Sequence, residues 1–279
     1  MRKLGLIAGA GGLPLEIAEH CRRSGRPLFI ARLKGMAEPP LAAFDGADVG
    51  LAELGKCIKV LKRAGCEVVC MAGIVRRPDF AQLAPDLRGL AALPGVIAAA
   101  RNGDDALLRF LIGEFEKEGF AIEGAETVRG DLSLPAGPLG RHVPSPEHLA
   151  DAERALDVAR AVGRLDVGQA AVVCDGLVLA VEAQEGTDAM LARVAGLPAH
   201  LHGHAADRRG VLAKAPKPIQ EIRIDLPTIG TATVLGAASA GLAGIVGEAG
   251  RLLVLERDET IALADRLGLF VLGVDAHAG

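Results

Sequence analysis

The feature that most constrains the fold is a short apolar run that ends in a glycine-rich turn and leads directly into a helical pattern. The run is LGLIA at residues 4–8, the turn is GAGGLP at residues 9–14, and the helical pattern covers residues 15–23. A short apolar run of this kind predicts a buried strand, and the basic residues at the end of the next segment fit the last turn of a helix. The beginning of the chain therefore predicts a strand–turn–helix unit.

The same alternation continues through the first half of the chain. Apolar runs predict strands at residues 27–33 and 67–72, and apolar periodicity predicts helices at residues 55–65 and 104–118. Strands that alternate with helices favour a parallel, doubly wound sheet with helices on both faces. The predicted fold class is α/β.

A change of composition predicts a boundary near the middle of the chain. Four prolines and two glycines fall between residues 135 and 146. We expect this stretch to be a linker that neither helix nor sheet crosses. The predicted organisation is an N-terminal domain at residues 1–133, a linker at 134–146 and a C-terminal domain at 147–279.

The second half predicts a mixed α/β domain. A long helix is expected at residues 146–164, and two apolar runs around Asp175-Gly176 carry the strongest short-range signal for a hairpin. A second hairpin is expected over residues 245–256, around Gly250. Further elements are predicted as helices at 186–196, 231–243 and 259–268 and as strands at 211–215 and 269–273.

Composition excludes several function classes. Lys and Arg number 31 against 35 Asp and Glu, and the chain has seven Phe but no Tyr or Trp. A net charge of −4 gives no general attraction to nucleic acid, and so few aromatic residues cannot build a base-stacking surface. The five cysteines lack metal or redox spacing, which predicts buried thiols in a reducing compartment. With no apolar run long enough to span a bilayer, we expect a soluble, cytoplasmic protein.

The glycine turn is the first candidate binding site. Glycines let a phosphate approach the backbone, and the helix N-terminus that follows offers unpaired N–H groups and a positive dipole end. The dinucleotide fingerprint is incomplete, because Pro14 stands at its last glycine and Arg32 and Lys34 stand where an acid is expected. The turn therefore indicates phosphate rather than NAD, although a glycine turn without a ligand is the alternative.

Two acidic clusters stand at the ends of predicted elements. Asp104 and Asp105 begin a helix, where they either cap the helix or bind a cation. The sequence EAQEGTD at residues 182–188 follows an apolar strand. It is either an oxygen-rich Mg²⁺ site or a solvated strand end.

The segment at residues 214–230 alternates basic and apolar residues, which suits an extended chain with one polar face towards a phosphate. Arg223 and Asp225 would share that face, and a salt-bridged surface strand is the alternative. Histidines alternate at residues 200–204, but Gly203 interrupts the stretch and no carboxylate is near, so we do not expect zinc there.

Together these motifs resemble the UDP-2,3-diacylglucosamine pyrophosphatase family of lipid A biosynthesis, the LpxI type. The resemblance runs from end to end and rests on GAGGLP at 9–14, GDD at 103–105, EGTD at 185–188 and QEIRIDLP at 220–227. Glu221 departs from the family pattern, in which Asp is expected. The resemblance implies a Rossmann-like N-terminal domain, a distinct C-terminal domain and a substrate cleft between them. It also implies Mg²⁺-dependent hydrolysis of the substrate diphosphate to 2,3-diacylglucosamine 1-phosphate (lipid X) and UMP.

The resemblance also implies which residues act, with Asp225 expected to be essential and water expected to attack the sugar-side phosphorus. The predicted catalytic residues are Asp225, Arg223 and Asp188. The predicted substrate-binding residues are Gly11, Gly12, Leu13, Asp104, Gly186, Thr187, Lys214, Lys217 and Gln220. The predicted Mg²⁺ ligands are Asp225, Asp188, Glu185 and Asp105. The substrate, lipid X and UMP are the expected ligands, while a transient contact with the inner-membrane surface and a homodimer stay open.

Two other function classes compete with the hydrolase. A nucleotide-cofactor oxidoreductase is favoured only by the first strand, loop and helix, and it should bind NAD(P). A non-catalytic lipid or nucleotide carrier should bind without turnover. Acidic residues favour the enzyme over the carrier, because a carrier gains nothing from carboxylates beside a diphosphate.

Overall fold

The computed structural model describes residues 1–75, 83–101, 103–217 and 226–275, and of Asp104 it describes the backbone only. The chain divides into two compact units, which meet in sequence between Gly130 and Asp131.

The first unit is built on a parallel sheet of five strands in the order β3-β2-β1-β4-β5. The strand order reverses direction between β1 and β4. Ligands of open α/β sheets bind at such a switch point, beyond the carboxyl ends of the strands. The elements are β1 (Leu4–Ala8), α1 (Leu13–Ser24), β2 (Leu28–Leu33), β3 (Gly46–Val49), α2 (Leu54–Arg63), β4 (Val68–Ala72), α3 (Leu87–Ala100), α4 (Asp104–Lys117), β5 (Ala121–Ile122) and α5 (Ala125–Val128).

The predicted strands and helices of this unit are confirmed, with ends that differ by a few residues at most. The sequence did not predict β3, β5, α3 or the single turn of α5. β3 and β5 are too short to show a period, and Pro94 and Gly95 interrupt the helical pattern of α3. α3 forms nevertheless, because the carboxylate of Asp86 caps its N-terminus.

Asp86 joins α3 to α2 through backbone hydrogen bonds. Its Oδ1 accepts the N–H of Gly89 at 2.7 Å and of Gly55 at 3.2 Å, and its Oδ2 accepts the N–H of Lys56 at 2.7 Å. Burial alone would raise the pKa of Asp86, but these backbone bonds outweigh burial, so the pKa lies below its usual value. The ionised carboxylate therefore stabilises the folded chain above the unfolded-state pKa of about 3.9, and this stabilisation is lost as the pH falls.

Asp86→Ala should lower the free energy of unfolding by about 1–3 kcal/mol at neutral pH, because three N–H groups lose their acceptor. Urea unfolding of the variant and wild type measures the difference, which should shrink as the pH drops below about 4. Asp45→Ala, which removes an exposed carboxylate from the same unit, is the matched control. Equal stability of Asp86→Ala and wild type at neutral pH would contradict the role given to Asp86.

The second unit contains a mixed sheet of six strands in the order β6-β13-β11-β9-β7-β8. Its centre, β9, β11 and β13, is parallel, whereas β6, β7 and β8 are antiparallel to their neighbours. β10 and β12 form a separate parallel pair. The elements are β6 (Gly137–Leu139), α6 (Pro146–Arg164), β7 (Ala170–Cys174), β8 (Leu177–Val181), α7 (Gly186–Ala195), β9 (Val211–Lys214), β10 (Thr228–Ile229), α8 (Thr231–Ser239), β11 (Gly244–Glu248), β12 (Leu253–Val254), α9 (Arg257–Leu267) and β13 (Phe270–Val274).

Two predictions for this unit are wrong. The stretch at 134–146, expected to contain neither helix nor strand, holds β6, whose exposed Pro138 lies opposite Leu272 at the edge of the sheet. Proline is tolerated there because an edge strand has N–H groups that need no partner. The hairpin expected over residues 245–256 does not form: Gly250 is in a turn, but β11 pairs with β9 and β13, whereas β12 pairs with β10.

The hairpin around Asp175-Gly176 is confirmed. Both residues have positive φ, 50° and 76°, as a tight two-residue hairpin turn requires. The buried carboxylate of Asp151 accepts both of their N–H groups, at 2.9 and 2.7 Å.

All five cysteines are free and buried, as predicted, and burial raises the pKa of the Cys57 thiol to about 12. Among the described residues, no helix is both long enough and apolar enough to span a bilayer.

Candidate active site

The glycine turn lies at the switch point of the first unit, where it packs against the loop after β4. Ala10 and Ile74 exchange two backbone hydrogen bonds of 2.9 Å. A Cβ atom at Gly9 would lie 2.7 Å from the carbonyl oxygen of Ile74, and one at Gly73, where φ is +93°, would lie 2.7 Å from that of Ala10. The first glycine of the turn is thus required by loop packing, whether or not a ligand binds.

The beginning of α1 offers backbone donors beside this turn. Within the described part of the chain, the N–H groups of Gly12, Leu13 and Leu15 have no hydrogen-bond partner. Gly11 has φ +89°, and its N–H donates to Glu38 Oε1 at 3.1 Å. Open amides at the positive end of a helix dipole suit an anion such as a phosphate. Phosphate binding by Gly11, Gly12 and Leu13 stays a prediction, and a phosphate would share the Gly11 amide with Glu38.

Gly12→Val tests this loop without straining it, because Gly12 is exposed and has φ −73°, which valine can adopt. We expect the affinity for UMP to fall at least about tenfold, since the side chain covers the open amides, while the thermal midpoint stays nearly unchanged. Isothermal titration measures the affinity. Gly196→Val, at an exposed helix end with φ −88°, is the matched control. Unaltered affinity in folded Gly12→Val would leave the turn with a structural role alone.

The second motif of this unit, at the beginning of α4, is engaged in an ion pair. Asp105 is buried, and its Oδ2 lies 2.7 Å from the guanidinium of Arg109 one turn along the helix. The side chain of Asp104 lies outside the described residues. Asp105 as a Mg²⁺ ligand stays a prediction, and a cation there would compete with Arg109.

At the carboxyl end of β9, the second unit brings two predicted substrate-binding residues into contact. The ammonium of Lys214, which is 5% exposed, donates to Thr187 Oγ1 at 2.9 Å and to the Thr228 carbonyl oxygen at 3.0 Å. Thr187 Oγ1 in turn donates to Glu182 Oε1 at 2.6 Å, and Glu182 Oε2 accepts the N–H of Gln169 at 3.0 Å. We call Lys214, Thr187 and Glu182 the buried relay. It holds an ammonium and a carboxylate on either side of the Thr187 hydroxyl, at the end of the central strands.

The acidic residues at the beginning of α7 are exposed. Glu185 Oε1 pairs with Arg193 at 2.7 Å, and Gly186, with φ +80°, makes the turn into the helix. Asp188 is exposed in the first turn and makes no hydrogen bond within the described residues. Asp188 is therefore the more accessible of the two carboxylates.

The basic segment is described only in part. Lys217 pairs with Asp166 at 2.6 Å. Gln220, Arg223 and Asp225 lie outside the described residues, and their roles stay predictions.

The ring nitrogens of His202 face backbone carbonyl oxygens, Nδ1 that of Gly203 at 2.8 Å and Nε2 that of Leu197 at 3.1 Å. Within the described ranges, no three His, Cys, Asp or Glu side chains are grouped to hold a metal.

Comparison with known proteins decides the family. A model of the LpxI N-terminal domain matches residues 3–132, and a model of the LpxI C-terminal domain matches residues 135–272. The chain belongs to the LpxI family. A curated LpxI relative from Caulobacter vibrioides, named UDP-2,3-diacylglucosamine pyrophosphatase LpxI, is 66% identical over 275 residues, which cover 99% of this chain and 98% of the relative.

A solved structure named CobK precorrin-6A reductase also aligns with this LpxI chain. It is 13% identical, the alignment covers 100% of this chain and 89% of that structure, and the TM-score is 0.35. A TM-score this low does not indicate a shared fold.

Three predicted LpxI site residues have acidic partners whose contacts the sequence did not predict, and of these partners only Glu182 was named, as a member of the acidic cluster at 182–188. Glu182 anchors Thr187, Asp166 pairs with Lys217, and Glu38 binds the amide of Gly11. Glu182 had a signal, because it is the first acid after the apolar run of β8. Asp166 and Glu38 had none, because their contacts depend on how distant loops pack.

Proposed function

We propose that the chain hydrolyses the diphosphate of UDP-2,3-diacylglucosamine to 2,3-diacylglucosamine 1-phosphate (lipid X) and UMP, as a step of lipid A biosynthesis. The observation that carries this proposal is the 66% identity with UDP-2,3-diacylglucosamine pyrophosphatase LpxI along 99% of the chain. Water adds its oxygen to the sugar-side phosphorus, the bond from that phosphorus to the bridging oxygen breaks, and UMP leaves.

The residues of the chain fit the demands of this reaction. Phosphoryl transfer depends on positioning and on cations that balance the charge of the phosphates. Lys214 supports the proposal, because the buried relay fixes its ammonium. Asp225 is proposed to orient the attacking water and to accept its proton, and Arg223 to bind a phosphate oxygen.

The exposed carboxylate of Asp188 is a hard oxygen donor of the kind that suits a divalent cation. Asp188 is exposed and uncommitted within the described residues, whereas Glu185 and Asp105 are already paired with arginines. We therefore propose Asp188 and Asp225 as the carboxylates that hold Mg²⁺, which is often bound by one or two carboxylates together with substrate oxygens. When bound, Mg²⁺ would neutralise negative charge on the phosphates.

Chelation should stop the reaction. We expect EDTA to abolish UMP release and excess Mg²⁺ to restore it, because two carboxylates alone bind the cation weakly. His202→Ala should retain activity close to wild type, because its ring contacts backbone carbonyl groups. Metal analysis with the activity assay provides the readout. Stoichiometric zinc and full activity in EDTA would contradict the proposed metal.

The proposed function is tested by incubating the purified chain with detergent-dispersed UDP-2,3-diacylglucosamine, with and without Mg²⁺, and measuring UMP by chromatography. We expect UMP to accumulate only with Mg²⁺. Saturable binding of substrate without any UMP would identify a carrier. A titratable NAD(P) site without UMP release would identify an oxidoreductase.

A further inference from the structure

Glu182 is a buried carboxylate that makes no ion pair. The residue is 6% exposed, and among the described residues no Lys, Arg or His side chain lies within ion-pair distance of it. Its oxygens accept hydrogen bonds from neutral donors instead, Oε1 from the Thr187 hydroxyl at 2.6 Å and Oε2 from the Gln169 N–H at 3.0 Å. Because burying a charge without a direct ionic partner is costly, packing alone does not account for a carboxylate here.

The hydroxyl of Thr187 has one orientation that satisfies all of its neighbours. A lysine ammonium has donors and no acceptor, so the 2.9 Å bond between Lys214 Nζ and Thr187 Oγ1 uses a lone pair of the hydroxyl. The hydroxyl proton then goes to Glu182 Oε1, because Thr187 Oγ1 makes no other hydrogen bond within the described part of the chain. Glu182 thus turns a rotating hydroxyl into a fixed acceptor for Lys214.

The backbone holds Glu182 itself in place. The N–H of Glu182 donates to the carbonyl oxygen of Ala170 at 2.9 Å, and Ala170 is the register partner of Lys214 in the sheet. A Cβ atom at Gly168 would lie 2.1 Å from the carbonyl oxygen of Glu182, so the chain before β7 packs directly on this residue. The carboxylate is therefore anchored at the end of the sheet where Lys214 lies.

Asp151 provides a comparison at the other end of the same hairpin. It is 4% exposed, and both of its oxygens accept backbone N–H groups of the turn between β7 and β8. Glu182 uses only one oxygen for the backbone, and its other oxygen accepts the hydroxyl that contacts Lys214. Of these two buried carboxylates, Glu182 is the one linked to the ammonium that the proposed reaction uses.

We propose that Glu182 is a positioning residue for the hydrolysis: it fixes the Thr187 hydroxyl, which in turn fixes the Lys214 ammonium for the phosphates of the substrate. Glu182 acts through these two residues and does not touch the substrate. This inference rests on the proposed function, in which Lys214 balances the charge of the phosphates. Catalysis by a cation depends on its being oriented beforehand, so a Lys214 that keeps its charge but loses its fixed acceptor should act more slowly.

Glu182→Gln tests the proposal, because glutamine keeps the shape of the side chain but offers one acceptor oxygen to two donors. We expect kcat/KM for UMP release to fall at least about tenfold. In the Lys214→Met background the same substitution should change kcat/KM less than about twofold, because no ammonium is left to position. Asp151→Asn, which removes the other buried carboxylate of the hairpin, is the matched control and should keep a rate close to that of wild type.

A second measurement needs no turnover. NMR of protein labelled with ¹⁵N at the lysine side chains detects ammonium protons that hydrogen bonding and burial protect from exchange with water. Lys214 should give such a signal, identified by its absence from Lys214→Met. The signal should disappear in Glu182→Gln and remain in Asp151→Asn, because only the first substitution releases the Thr187 hydroxyl.

Thermal midpoints verify that each variant is folded. If Glu182→Gln does not fold, Glu182→Asp carries the same comparisons, because it keeps the charge but is too short by one methylene to reach Thr187 in the same way. The proposal is wrong if wild type shows no Lys214 signal or if Glu182→Gln keeps it. It is also wrong if Glu182→Gln lowers kcat/KM equally in both backgrounds, or no more than Asp151→Asn does. A Lys214 signal that depends on Glu182 in a chain that releases no UMP would refute the proposed function alone.

Discussion

Asp225→Ala is expected to lower turnover of UDP-2,3-diacylglucosamine at least about a hundredfold while leaving the fold and substrate binding largely intact. The reason is the position of Asp225 in QEIRIDLP at residues 220–227, which together with EGTD at residues 185–188 makes the resemblance to the LpxI family distinctive. A carboxylate there can orient water or hold Mg²⁺, and alanine can do neither. A loss confined to the chemical step leaves KM close to that of wild type.

Steady-state kinetics of UMP release, with thermal unfolding as a check on folding, measures the effect. Asp207→Ala is the matched control, because it removes an exposed carboxylate from the second unit. Asp225→Ala that retains more than about half of the wild-type rate would remove Asp225 from the catalytic residues.

Lys214→Met is expected to lower kcat/KM at least about a hundredfold, which corresponds to about 2.7 kcal/mol of transition-state stabilisation. Methionine keeps the length of the side chain but removes the charge that the buried relay holds in place. The variant also removes the buried ammonium that Thr187 links to Glu182, so the protein should be less stable.

A second variant separates these two effects. Lys214→Met/Glu182→Gln removes both buried charges, so it should recover much of the lost stability but none of the lost activity. Lys117→Met, which removes an exposed lysine of the first unit, controls for loss of positive charge. If the double variant regains wild-type activity, Lys214 has only a structural role.

The sequence predicted well the elements whose signals are local. The hairpin around Asp175-Gly176 was predictable because its turn type demands positive φ at two successive residues. The turn at Gly250 was equally visible, but the partners of its flanking strands are distant in sequence, so the hairpin prediction was wrong. α3 was missed because Pro94 interrupts its helical pattern in the sequence. The cap by Asp86, which stabilises the beginning of the helix, was not recognised as a helix start.

The sequence names candidate site residues one by one, but it does not give their arrangement. Lys214 and Thr187 were identified separately, and only the hydrogen bond from the end of β9 to the beginning of α7 shows that they are in contact. The contact of Glu182 also depends on that packing, because its carboxylate accepts the hydroxyl of Thr187 only where the two side chains meet. Charge and residue type are local properties, whereas hydrogen-bond partners are set by the tertiary fold.

The most direct test of the proposed hydrolysis is mass spectrometry of the products formed from UDP-2,3-diacylglucosamine in ¹⁸O-labelled water with Mg²⁺. We expect equal amounts of UMP and 2,3-diacylglucosamine 1-phosphate, with one ¹⁸O atom in the phosphate of the lipid product. Release of UDP and free 2,3-diacylglucosamine, or binding of the substrate with no product at all, would contradict hydrolysis of the diphosphate by this chain.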